Sequence, residues 1–401
     1  MKMDNPEAVI ASVARTPLGS FQGSLSSLNA PQLGAIAIQA AVERATLKPT
    51  DVDEVIIGQV LSAGVGQAPA RQAALSAGLP DSVPCATVNK VCGSGLYSVM
   101  LARRAIALGE ANIVVAGGME SMSNAPYLLP GARQGFRMGE QKIVDAMIYD
   151  GLWDPYSAQH MGNLGELCAR SRGFSRKSQD EYAMRSYERA LAAKRKGKFE
   201  REMVPVQVTQ KKKVASILAD EEILRYAPDK FEKLRPVFDA GGTITAANAS
   251  KISDGAAAIV MMSREEAERR GCPILASWVA DATFAQDPAW FTTAPAKAIQ
   301  KVAERAEISL GQIDLFEINE AFAGVVLATL EELKIDEKRV NVHGGAISLG
   351  HPLGCSGTRL LVTLCSAMES LDGKLGCVSL CLGGGEAVAA IIRREPSLDR
   401  S

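Results

Sequence analysis

Apolar residues recur along this chain in two alternating rhythms, short β-rich runs and longer stretches at helical spacing. Val9 to Val13 reads as a strand. Leu33, Ile36, Ala37, Ala40 and Ala41 then fall on one helical face, with basic Arg44 in the last turn, and Val55 to Ile57 reads as the next strand. The same grammar returns far downstream. Ile274 to Val279 predicts a strand, Ala298, Val302 and Ala306 mark a helix, and Leu315 to Ile318 predicts another strand. Alternation of this kind predicts an α/β protein whose parallel strands are joined by crossover helices.

The recurrence is also visible in the letters. "AVERATLKPTDVDEVIIG" resembles "VAERAEISLGQIDLFEIN", and "VNKVCGSGLYSVM" resembles "GHPLGCSGTRLLV", each pair about 260 residues apart, the mark of an internal repeat. "ANIVVAGGMES" is echoed by "GCVSLCLGGGEA", each an apolar strand running into a glycine pair. Between the repeats, from Ser123 to Lys251, the pattern breaks into Gly- and Pro-punctuated loops and two charged helical stretches, one of them Ser178 to Lys196. The expected division is a first half at 1–122 completed by 252–272, an inserted loop domain at 123–251, and a second half at 273–401. The basic run Lys211 to Lys213 inside the insertion reads as a solvated face in preference to a phosphate site. Arg225 and Arg235 stay open between those two readings.

Length and charge narrow the field. A chain of 401 residues supplies a sizeable core in two or three lobes. With 44 basic and 45 acidic residues and a formal net charge of −1, nothing calls for nucleic acid or an anionic membrane as partner. Eight cysteines without a CxxC pair, beside three histidines, suggest neither a disulfide framework nor a metal cluster, and fit a reducing compartment. The first strand begins too early for a signal peptide, no apolar run approaches the ~20 residues of a membrane span, and the last residues are not an SKL-type address. The expectation is a soluble, cytoplasmic protein whose mature chain starts near Met1.

Four clusters carry candidate chemistry. Cys92, in "VNKVCGSGL", follows a predicted strand and precedes a helical pattern through Leu96, Met100, Leu101 and Ile106. A thiol at a helix N-terminus is expected to be favoured as the thiolate. His351 lies among glycines in "GHPLGCSG", Cys381 ends a strand in "CLGGGEA", and Asn319 with Glu320 ends the strand of "INEAFA". Each alone reads more readily as a packed thiol, a core histidine or a helix cap. Together they occupy equivalent places in the two repeats, at carboxyl ends of strands and starts of helices, where open α/β sheets carry sites. Two thiols, an imidazole, an amide and glycine N–H groups suit acyl transfer through a thioester. No GxGxxG opening a βαβ unit, GxxxxGK[ST] or HExxH competes with that reading.

These motifs, from "VARTPLGSFQGSLS" to "CLGGGEAVAAI", resemble the thiolase family over essentially the whole chain. The resemblance implies a layered αβαβα sandwich of two duplicated βαβαβαββ halves with an inserted loop domain. It implies that Cys92 is the acyl-accepting nucleophile, His351 the group that activates it, and Cys381 the acid/base at the α-carbon. Asn319 would hold a water at one oxyanion hole, and the N–H groups of Cys92 and Gly383 would form the other. "QHMGNLGE" resembles the segment that touches the acyl end in short-chain members, which implies roles for His160 and Met161. "TAANASKISDGAAA" and "NEAF" imply coenzyme A contacts at Ala246, Ser250, Ala321 and Phe322, and Arg225 matches a nucleotide contact.

The implied substrates are acetyl-coenzyme A, acetoacetyl-coenzyme A and coenzyme A, with no separate cofactor and no metal. The runner-up is a degradative 3-ketoacyl-coenzyme A thiolase of broader chain length. A ketoacyl-carrier-protein synthase would lack Cys381. The family also implies a homo-oligomer, a dimer of dimers joined through a loop near Pro126 to Met138. Three positions depart from the family pattern: Ala247, whose methyl is expected in the pantetheine path, His343, and Glu386-Ala387 after the triple glycine.

Overall fold

The computed structural model describes residues 6–210 and 213–395. Its first half runs β1 (Ala8–Arg15), α1 (Ala30–Arg44), β2 (Glu54–Gly58), α2 (Pro69–Ser76), β3 (Cys85–Val88), α3 (Ser94–Ala107) and β4 (Ile113–Ser121). An insertion follows, with α4 (Met161–Arg172), α5 (Arg176–Arg195) and the antiparallel pair β5 (Val206–Gln210) and β6 (Lys213–Ile217). β7 (Ser253–Ser263) then closes the half. The second half runs β8 (Ala276–Ala285), α6 (Ala294–Ala306), β9 (Leu315–Ile318), α7 (Ala323–Leu333), α8 (Leu353–Ser370), β10 (Leu375–Leu382) and β11 (Glu386–Arg394).

The strands lie in the order β9-β10-β11-β8-β1-β7-β4-β2-β3. Val340 bridges Phe316 in parallel beside β9, as β3 lies beside β2. Counted within its own half, each set therefore reads third, second, fourth, fifth, first, so the repeat in the letters is a repeat in topology. The fifth strands, β7 and β11, run antiparallel to both neighbours, whereas the strand–helix alternation by itself predicts parallel strands. β11 follows β10 through a short turn, and β7 follows β4 only after the whole insertion, so neither is tied to its predecessor by the single packed crossover helix that joins parallel strands. The halves meet where β1 and β8 pair antiparallel at Val9–Ser277 and Ile10–Ala276.

Alternate residues of each strand face different apolar layers, because both faces of the sheet are covered. Val9 and Ala11 of β1 pack with α1 and α2, whereas Ala8 and Ile10 pack with α3 and α8. Val388, Ala390 and Ile392 of β11 join that same central layer, while Ala387, Ala389 and Ile391 face α6 and α7. Helix, strand, helix, strand, helix is thus the layering. β8 begins two residues later than the pattern predicts and extends to Ala285, with a bulge between Trp278 and Ala280 that resets its register against β11.

The two central helices decide where the chemistry lies. α3 starts just after Cys92 and α8 just after His351. They approach at Gly95 and Gly357, where a Cβ on Gly357 would come within 2.3 Å of the Leu96 nitrogen. Only glycine permits this distance, and it draws the two turns together. The insertion is anchored by Arg15 of β1, fully buried, which donates to Glu202 at 2.6 Å and to both Asp220 oxygens at 2.7 and 2.9 Å. These two carboxylates push its pKa up despite burial. Of the basic run, Lys211 and Lys212 lie outside the described residues, and Lys213 is exposed.

Candidate active site

Cys92 sits in a tight turn between β3 and α3. Gly93 N–H donates to Lys90 O at 3.1 Å, Ser94 N–H to Val91 O at 3.0 Å, and Ser94 Oγ to the same carbonyl at 2.6 Å. These bonds hold Val91 at φ 47, a left-handed conformation that a β-branched residue adopts only under constraint. The helix proper begins at Ser94, two residues past the thiol. The sequence expectation of a ready thiolate is corrected accordingly: burial pushes the Cys92 pKa up to about 11, with N–H groups of Gly383 and of Cys92 itself opposing.

His351 is 5% exposed and begins the turn into α8. Its Nδ1 lies 2.5 Å from Ser356 Oγ, and that hydroxyl donates onward to Pro352 O at 2.8 Å. With the hydroxyl hydrogen committed to Pro352, Nδ1 carries the ring proton and Nε2 is the free acceptor. Nε2 faces Asn319 Nδ2 at 3.3 Å. Burial, together with nearby Arg359, pushes the imidazole pKa down to about 3, so the ring is neutral at working pH. Asn319 is fully buried at the carboxyl end of β9, and its Oδ1 has no partner among the described residues.

Cys381, 1% exposed, lies one residue before the end of β10 in an apolar cluster with Met161, Phe291, Ala321 and Phe322. That burial, and the neighbouring Cys92, hold its thiol well above the usual range. Gly383 lines the same cavity as Cys92 from the other half of the chain.

These groups converge on a cavity of about 50 Å³ lined by Cys92, His160, Met161, His351, Cys381 and Gly383, with Ser250, Ala321 and Phe322 among the other residues of its wall. It shares His160, Ser250, Phe322 and His351 with a wider pocket of about 420 Å³, which Arg225 and Ala246 line further out. His160 accepts from Gly162 N–H at 3.0 Å as the N-cap of α4, and its ring stacks on Phe238 at 4.7 Å. Arg225 is half exposed and paired with Glu221 at 2.9 Å. Ser250 N–H donates to Ala321 O at 3.0 Å, and Ala249 bridges Phe322, which fastens the two pocket segments together. Eleven of the twelve candidate residues thus line one or both of these adjoining pockets, and Asn319 touches His351.

The thiolase N-terminal domain family matches residues 8–265, and the thiolase C-terminal domain family matches 272–394. The chain belongs to the thiolase family. Relatives include an acetyl-CoA acetyltransferase of Cupriavidus necator, 51% identical over 391 residues, which cover 97% of this chain and 100% of that one. Acetyl-CoA acetyltransferase 1 of Arabidopsis thaliana is 51% identical over 389 residues, covering 96% and 94%. The crystal structure of Acat5 thiolase from Ascaris suum in complex with coenzyme A superposes with a TM-score of 0.92 at 42% identity, covering 97% of this chain and 100% of that one.

Against that thiolase frame, three sequence readings change. Ala247 is 6% exposed and packs into the layer of Tyr182, Tyr187 and Phe231, so its methyl faces the core, and Ala246 and Ala249 line the pocket instead. His343 is buried edge-on against Phe199 at 6.1 Å, outside both cavities. Glu386 forms an ion pair with Lys90, two residues before Cys92. Glu320, singled out with Asn319, is a buried hub that accepts from Tyr182, Ser186, Asn341 and the Ile347 N–H.

Sequence reasoning passed over three groups. Ser356 was in view inside "GCSG", but only the fold turns it toward His351. Lys251, the one basic residue within "TAANASKISDG", was a readable signal. Glu120 accepts from Val60, Leu61 and Gly354 N–H groups, and burial raises its pKa to about 7.

Proposed function

We propose that this thiolase is an acetyl-CoA acetyltransferase, joining two acetyl-coenzyme A molecules into acetoacetyl-coenzyme A and coenzyme A, and reversing that reaction by thiolysis. One observation carries the reading: two thiols, Cys92 and Cys381, and the neutral imidazole of His351 line a single cavity at the inner end of a long pocket. The full-length likeness to proteins named acetyl-CoA acetyltransferase supports it. The small inner volume favours an acetyl unit over a long chain, since each methylene forced into a filled pocket costs about 1–3 kcal/mol.

In the first half-reaction the Cys92 sulfur attacks the thioester carbonyl while its proton passes to His351 Nε2. The imidazolium returns that proton to the departing coenzyme A sulfur. Ser356 holds the ring in the tautomer this transfer needs. N–H groups of Cys92 and Gly383 face the developing oxyanion, and each such donor is commonly worth about 3–4 kcal/mol. In the second half-reaction Cys381 gives its own proton to His351 and takes one from the α-carbon of a second acetyl-coenzyme A. The carbanion attacks the acetyl group on Cys92, and the released Cys92 sulfur recovers the proton held by His351. Two thiols serve because one is blocked by the acyl group while the other moves the proton.

The chain is proposed to act as a homo-oligomer, a dimer of dimers. Tyr127, Leu129 and Met138 leave large apolar side chains exposed on the loop expected to join subunits, Met138 at 92%. Eight free cysteines fit the reducing cytoplasm, and no helix among the described residues is long and apolar enough to cross a membrane. The deciding experiment measures thiolysis of 3-ketoacyl-coenzyme A substrates from four carbons upward. Efficiency highest at four carbons and falling stepwise supports the reading; equal efficiency at eight carbons replaces it with the degradative thiolase.

A further inference from the structure

The wall of the outer pocket between Ala246 and Ser250 is a loop of small residues with little side chain to hold it. Asn248 pins its core side, donating to Asp180 Oδ1 at 2.8 Å and Thr243 O at 3.1 Å, and on its other side the carbonyls of Ala246 and Ala249 are held by a charge. Lys251 Nζ donates to Ala246 O and to Ala249 O, each at 2.6 Å, and lies over the Tyr187 ring at 5.8 Å. Its backbone carbonyl accepts the His351 N–H at 2.9 Å, so one residue ties the pocket wall to the turn that carries the imidazole.

We propose that Lys251 is a positioning residue for the coenzyme A arm: its ammonium gathers the Ala246 and Ala249 carbonyls onto one point and so fixes the wall that carries Ser250. This rests on the acyl-coenzyme A reading of the pocket. The position is a poor one for a cation on stability grounds. Burial pushes the ammonium pKa down to about 8, opposed by Glu222 and Glu320, and Arg225 competes for Glu222. An apolar chain of similar length would fill that space without the desolvation cost. The charge is useful because a carbonyl cluster has no other donor to converge on, and an ordered wall spares the ligand the entropy of ordering it.

Removing the charge then acts on binding before chemistry. In Lys251→Met, the acetyl-coenzyme A concentration that half-saturates acetylation of Cys92 at pH 7 rises about tenfold, while the maximal rate changes by less than about threefold. In the unsubstituted enzyme the same half-saturating concentration climbs above about pH 8, as Lys251 loses its proton, and in Lys251→Met it is flat there. Methylammonium chloride lowers the raised value in Lys251→Ala, whereas tetramethylammonium chloride, which has no N–H to donate, does not. Should Lys251→Ala fail to fold, the other two measurements decide. An unchanged half-saturating concentration in Lys251→Met, or a climb above pH 8 that persists in it, overturns the proposal. Absence of any acetyl adduct on Cys92 in the unsubstituted enzyme instead overturns the underlying reading of the site.

Discussion

The first half of the chain sends one reacting residue into the site, and the second half sends the rest. Cys92 occupies the turn after β3; His351 follows the corresponding strand position at Val340, Asn319 follows β9, and Cys381 lies on β10. Where the second half has Asn319, the first has Gln59 after β2, with its Nε2 bound to Leu61 O at 3.2 Å. The echoed segments "GGMES" and "GGGEA" have diverged differently. Their glutamates cross over: Glu120 of the first half holds the Gly354 N–H in the turn after His351, and Glu386 of the second half pairs with Lys90 before Cys92. Duplication kept a scaffold in which each half grips the other half's reactive turn, while the reacting groups became unequal.

The asymmetry is broken most severely at its single-residue side. Cys92→Ser should remove the acetyl adduct and lower condensation by about 10⁴-fold or more, as loss of a nucleophile does elsewhere. Intact-protein mass and a coupled rate assay check both. His351→Ala is expected to cost about 10²–10⁴-fold in turnover, the usual range for a lost general base.

The crossed glutamates test the scaffold. Glu120 is fully buried and accepts three N–H groups, so Glu120→Gln should lower kcat about tenfold by loosening the His351 turn. Glu386 is about a third exposed, and Glu386→Gln should change kcat less than about threefold, since surface ion pairs contribute little. Equal effects from the two would erase the difference between a buried grip and an exposed one. Smallest on acetyl substrates is Met161→Ala, which opens the wall beside Cys381 and should raise kcat/KM about tenfold for six-carbon 3-ketoacyl substrates only. The free thiol offers a pH check: alkylation of Cys92 should rise about tenfold per pH unit from 7 to 10, since its thiolate fraction grows toward a pKa of about 11. Neutral His351 adds no inflection near 6.5.

Much of this was legible in the letters because the chemistry is flanked by glycine. Gly93, Gly95 and Gly350 strip away the bulk that would otherwise make Cys92 and His351 read as core, and the strand–helix rhythm repeats around them. What the letters hide is direction. Ala247 and Ala246 are neighbours of one type, yet one faces the core and the other the pocket, because the loop turns between Thr245 and Asn248. The strand reversal at β7 and the crossing of Glu120 to Gly354, 234 residues away, are set by tertiary packing with no local signal. The raised pKa of Cys92 likewise follows from what covers the turn and not from the helix behind it.

The division of labour between the two thiols is tested most directly in Cys381→Ser mixed with acetyl-coenzyme A. The account predicts stoichiometric acetyl on Cys92, formed at close to the unsubstituted rate, with no acetoacetyl-coenzyme A released. Loss of the adduct together with condensation, or condensation that survives, would contradict it.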